Sequence, residues 1–80
     1  MNLEPTRVTA RWHNDGKIEP RRFTWQDQTF AVESTGRQWE DDDGLHVLCM
    51  TGGGQVFELV FRLNPAGWWV KPPRNQHGHA

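Results

Sequence analysis

Apolar and polar residues alternate along this chain in short runs, with turn-forming residues between them. From Leu45 to Leu63 two apolar runs flank three consecutive glycines. In the second run Phe57, Leu59, Phe61 and Leu63 alternate with Val56, Glu58, Val60 and Arg62. That period of two predicts a strand with one buried face. The first run, Leu45 to Met50, is apolar on both faces except at His46, which predicts a central strand covered on both sides. Gly52-Gly53-Gly54 supplies the positive φ of a tight turn, so the whole stretch reads as a β-hairpin. A three-residue loop sets Cys49 opposite Phe57 and Val47 opposite Leu59. A loop of Gly53-Gly54 alone exchanges the two faces, and the longer loop is favoured.

Thr6 to His13 alternates as a first strand, with Val8, Ala10 and Trp12 on one face and Arg7, Thr9, Arg11 and His13 on the other. Asn14-Asp15-Gly16 predicts a three-residue turn that places Trp12 opposite Ile18 and Ala10 opposite Pro20. Ile18 and Pro20 are out of phase with Phe23 and Trp25, so one extra residue is expected near Arg21-Arg22, a bulge that Pro20 supports. A turn at Gln26 to Thr29 leads to a third strand, Phe30 to Glu33, with Phe30 and Val32 on the face of Phe23 and Trp25. Ser34 to Gly44 has no strand pattern and reads as a long acidic loop, with room for one helical turn at Gln38 to Asp42. Asn64-Pro65-Ala66-Gly67 fits a type I turn before a last strand, Trp68 to Lys71. The expectation is all-β: about six short antiparallel strands in a meander, curled into a small barrel or strongly bent sheet. The expected organisation is one domain over residues 1–73, with residues 74–80 as a mobile tail.

Eighty residues with one cysteine cannot draw on an internal disulfide, so five tryptophans and four phenylalanines must supply much of the core. The lone cysteine and the lack of an apolar leader point to the cytoplasm, and no stretch is long enough to span a membrane. The net charge of −1 gives no bulk attraction to nucleic acid, but the charge is uneven. Arg7, Arg11, Lys17, Arg21 and Arg22 dominate the first 25 residues. Asp27, Glu33, Glu40, Asp41, Asp42 and Asp43 face only Arg37 over residues 26–44.

Chemistry is sparse. The triple glycine lacks the Gly-Lys-Ser/Thr ending and the following helix of a phosphate loop. Three adjacent aspartates do not match the alternate ligand spacing of a calcium loop. His46 and Cys49 have the spacing of half a zinc site without a second half. His46 therefore reads as a partly exposed strand residue and Cys49 as a small core residue. No nucleophile stands beside a base, so no enzyme activity, metal or cofactor is expected. In the last strand Trp68 and Val70 join the core, which turns Trp69 outward with Lys71. Such a tryptophan is covered by the long loop, buried in a homodimer or offered to a partner. Trp39 reads as the residue that pins the acidic loop to the sheet.

The run Pro20-Arg21-Arg22-Phe23-Thr24-Trp25, followed by Phe30-Ala31-Val32 and Trp39, resembles a group of small bacterial domains of unknown function. Their pattern is P-x-x-F-x-W, then an aromatic-x-Val, then a downstream Trp. Where that group often has Gly-Arg in the turn, this chain has Asp27-Gln28. The resemblance implies a small stand-alone bacterial β domain and no activity. The expected function is a binding module whose outer surface, Arg7, Arg11, Arg21, Arg22, Trp69 and Lys71, takes a protein partner. Single-stranded nucleic acid is the alternative partner, through backbone contacts and base stacking, and a homodimeric accessory domain is the other reading. The arginines can also be a solvated face paired with Glu19, Glu33 or the aspartates.

Overall fold

In the computed structural model, which describes residues 3–73, every regular element is a strand. They are β1 (Glu4–Thr6), β2 (Val8–Trp12), β3 (Ile18–Trp25), β4 (Gln28–Asp41), β5 (Gly44–Thr51), β6 (Val56–Leu63) and β7 (Ala66–Lys71). The expected tail, residues 74–80, lies outside the described residues. The strands form one antiparallel sheet in the order β1-β7-β6-β5-β4-β3-β2, curled into a half-barrel. Its two outermost strands are consecutive pieces of the N-terminal segment. Residues of β1 pair with β7, whereas those of β2 pair with β3. At the break between them the Arg7 carbonyl accepts from the Thr24 amide (3.1 Å), and the Arg7 amide donates to Thr24 Oγ1 (3.1 Å). The expected first strand, Thr6 to His13, is represented by β2, and β1 ahead of it brings the strand count to seven.

The turns follow their residues. Gly16 has φ +92° in a loop closed by the His13 amide on the Lys17 carbonyl (2.9 Å), and Trp12 stands opposite Ile18 as expected. Thr9 pairs with Arg22 and Ala10 with Pro20, which makes Arg21 the extra residue of the anticipated bulge. Gln26 and Asp27 both have positive φ, as a two-residue hairpin turn of matching twist requires. Gly54 (φ +78°) closes the three-glycine loop, and Cys49 faces Phe57 in the favoured register.

Two expectations need correction. The segment read as a loop is strand: β4 runs for fourteen residues, and the described residues hold no helical turn at Gln38 to Asp42. Its first residues pair with β3 and the rest, from Val32 to Asp41, with β5. Register shifts between Val32 and Ser34 and between Thr35 and Gln38 bend it from one half of the sheet to the other. Backbone pairing holds this strand, while its middle stays exposed on both sides, so it carries no apolar alternation. The Gln38 side chain adds two bonds where the ladder is missing, accepting from the Ile18 amide and donating to the Gly16 carbonyl (both 3.0 Å). The second correction is at Asn64-Pro65. This is a two-residue loop with a cis peptide bond, between paired Leu63 and Ala66, so β7 starts earlier than expected. Proline sits third in that turn, the place a cis proline takes.

The concave side buries Ile18, Pro20, Phe23, Val47, Cys49, Phe57, Leu59 and Val70, flanked by Val8, Ala10, Trp25, Phe30, Val32, Leu45 and Trp68. Phe57 is the hub, with ring centroids of Phe23 at 4.9 Å and of Trp25 and Phe30 at 5.3 Å. Each such aromatic pair adds about 0.5–1.5 kcal/mol beyond its buried area.

Candidate functional site

Three places on this sheet carry chemistry, and they follow from its register. The first is the convex side of β4–β7. Cross-strand pairing lines up Trp39, His46, Val60, Trp69 and Pro5 in one row. Val60 is fully buried there and His46 almost so, at 5 % exposure. His46 is not the partly exposed residue expected. Its Nδ1 shares a hydrogen bond with Glu58 Oε2 (2.6 Å), its Nε2 shares one with Asp41 Oδ1 (2.7 Å), and its ring stacks on Trp39 at 4.9 Å. The His46 hydrogen bond is the largest cause holding the Asp41 carboxyl below its usual value; the Asp43 amide, which donates to Asp41, is the next. Trp39 lies in β4 and pins no loop; the Arg37 guanidinium sits over its ring (5.2 Å).

This histidine and its carboxylates do not point their donors at one place. The acids take opposite corners of the ring, so the donors do not converge, and no other group of three or more His, Cys, Asp or Glu among the described residues is placed to hold an ion. Cys49 is wholly buried, and burial pushes its thiol up to about 12, which removes the thiolate a ligand or nucleophile needs.

The second place is the basic track. Val8 and Ala10 pack on the core, while Arg7, Thr9 and Arg11 are exposed along the N-terminal segment. Arg22 stands opposite Thr9, Arg21 bulges beside it, and Arg11 faces Glu19 across the strands. Among the described residues none of these four arginines lies within 4 Å of a carboxylate. Their field still reaches Glu19. Its carboxyl is lowered first by a hydrogen bond with His13 (3.1 Å), then by the charges of Arg21, His13 and Arg11.

The sequence grouped Trp69 and Lys71 with these arginines. Trp69 pairs with Pro5, two residues before Arg7 on the same segment. It is half-buried, its ring lies against Gly67, and the cation over it is Arg62 (5.1 Å), a residue the sequence reading left out. Lys71 reaches Glu58 (3.6 Å) beside His46 and so belongs to the convex cluster.

The third place is the open end of the half-barrel, where β2 and β6 end and β7 begins. Trp12 is 54 % exposed and Leu63 79 % exposed, so Leu63 does not join the buried face its alternation predicts. Trp12 meets Phe61 edge-on at 5.3 Å and Trp68 at 6.4 Å. A groove of about 670 Å³ runs from these residues to the tip of the β4–β5 hairpin, lined there by Glu40, Asp41, Asp42 and Asp43. No known protein family, curated protein or solved structure matches this chain.

Proposed function

We propose that this domain is a non-enzymatic binding module whose basic track takes an acidic segment of a protein partner. The observation that carries this is the row of exposed arginines without ion-pair partners among the described residues. Arg7 and Arg11 lie along one strand segment, with Arg21 and Arg22 beside them. That segment leads to Trp69 and Arg62, an aromatic ring with a cation over it. Guanidinium groups suit carboxylates through paired hydrogen bonds. The overall charge of −1 favours an acidic protein segment over the denser charge of nucleic acid.

The test is an NMR titration of the labelled domain at low salt with a capped polyglutamate peptide and with a mixed single-stranded oligonucleotide. Shifts on Arg7, Arg11, Arg21 and Arg22 with the peptide, lost in an R7E/R11E/R22E variant, support the reading. Oligonucleotide shifts that are stronger and reach Trp69 would transfer the surface to nucleic acid. A spectrum still with both leaves the arginines as a solvated face and removes the proposal. Sedimentation that shows a dimer at working concentration would favour the homodimeric accessory domain instead.

A further inference from the structure

The groove at the open end begins at Trp12, next to Arg11 at the end of β2, but its own lining has the opposite charge to the basic track. From its geometry we infer a second docking site, for an extended protein segment that carries a leucine or aromatic side chain flanked by lysine or arginine. A closed barrel end would bury its last aromatic residues. Here Trp12 and Leu63 are exposed beside the rings of Phe61 and Trp68. A volume of about 670 Å³ is within the ~300–1,000 Å³ of sites that hold a ligand. Exposed tryptophan in a pocket is the residue type that most often anchors a partner chain.

Charge complementarity decides the occupant. Glu40, Asp42 and Asp43 line the groove and make no ion pair within 4 Å among the described residues. Asp41 is already engaged by His46. The one cation of the lining, Arg62, donates through Nε to the Asp43 carbonyl and lays its guanidinium over Trp69, so it leaves the carboxylates uncompensated. An anionic strand or an anionic headgroup would be repelled. A cationic segment gains at both places, its apolar side chain on Trp12, Phe61 and Leu63 and its charges on the rim.

The full chain, isotope-labelled, is titrated with a capped hexapeptide that has a central Leu-Phe pair and two lysines on each side. A twin peptide carries glutamate in place of every lysine. The lysine peptide is expected to shift Trp12, residues 40–45 and residues 61–64, with a Kd of about 10–500 μM that weakens as salt is raised. Leu63→Ser, at an exposed position that leaves the core intact, should weaken it about fivefold or more; Asp42→Asn combined with Asp43→Asn should remove most of the salt dependence. No shift at about 1 mM peptide, equal binding of the glutamate twin, or shifts confined to β2 and β3 would each overturn the inference. So would a spectrum that changes with protein concentration alone and stops doing so in Leu63→Ser, because the occupant would then be a second copy of this chain.

Discussion

Replacing His46 tests whether the convex cluster holds the sheet together. His46→Ala removes a hydrogen bond to the half-buried Glu58 carboxylate and the stack on Trp39. A hydrogen bond to a charged group contributes about 1.5–3 kcal/mol. The ring stack adds about 0.5–1.5 kcal/mol. Lys71, 3.6 Å from Glu58, stays behind to compensate part of the carboxylate charge, which favours the lower half of that range. Asp41 is left out of the sum because water reaches it. The expected loss is about 2–4 kcal/mol, from a total of about 4–12 kcal/mol for a chain of this size. The thermal midpoint should drop by roughly 10–25 °C. His46→Phe keeps a ring against Trp39 and should recover only the stacking share. Urea unfolding followed by tryptophan fluorescence gives each value, and a double-mutant cycle with Glu58→Ala isolates the pair. A coupling below about 0.5 kcal/mol would refute the reasoning, because contacts this short would then be worth no more than a solvated ion pair.

Gly44 has φ +138°, and a Cβ there would meet the carbonyl oxygen of Phe61, so Gly44→Ala should cost about 2–4 kcal/mol by urea unfolding. Gly53→Ala, with open space around it, should stay within about 0.5 kcal/mol of the parent. With its thiol raised to about 12 by burial, Cys49 should resist a disulfide reagent at pH 8 in the folded protein and react at once in urea; prompt reaction in buffer would contradict its burial. The Asp41 and Glu19 carboxyls lie below their usual 3.8 and 4.5, held there first by hydrogen bonds from His46 and His13. Depressed values mean stability that is present above those pH values and is lost as pH falls through the folded ones. Asp41→Asn should therefore flatten the acid limb of a stability-versus-pH curve, and an unchanged limb would show that the contact does not matter to folding.

The concave core was legible because its apolar residues recur at every second position of their strands. Phe57 and Leu59 alternate with residues of the other face, and the phase break between Pro20 and Phe23 placed a bulge near Arg21-Arg22, which the pairing narrows to Arg21. The middle of β4 was illegible for the complementary reason. Glu33, Ser34, Thr35, Gly36 and Arg37 are exposed, so the strand rests on backbone pairing, which leaves no period in the side chains. The N-terminal break at Arg7 was hidden because a strand that changes partner keeps its alternation while it does so.

That single misread strand also concealed the convex cluster. Asp42-Asp43 are the two loop residues of a hairpin, with Asp41 opposite Gly44. Had the acidic run been taken as a turn followed by a glycine, the register would have placed Trp39 across from His46 without any further information. The triple-glycine hairpin already put His46 across from Val60, and Leu48 across from Glu58. A histidine alone on an apolar strand, with a carboxylate one diagonal away and another at the end of the next strand, is then a buried polar group that needs hydrogen-bond partners. The acidic run therefore has two consequences. Asp41 turns back to satisfy the histidine, while Glu40, Asp42 and Asp43 stay free of ion pairs among the described residues and line the groove. Neutralising Asp41 should thus be felt in stability, and neutralising Asp42 and Asp43 in binding.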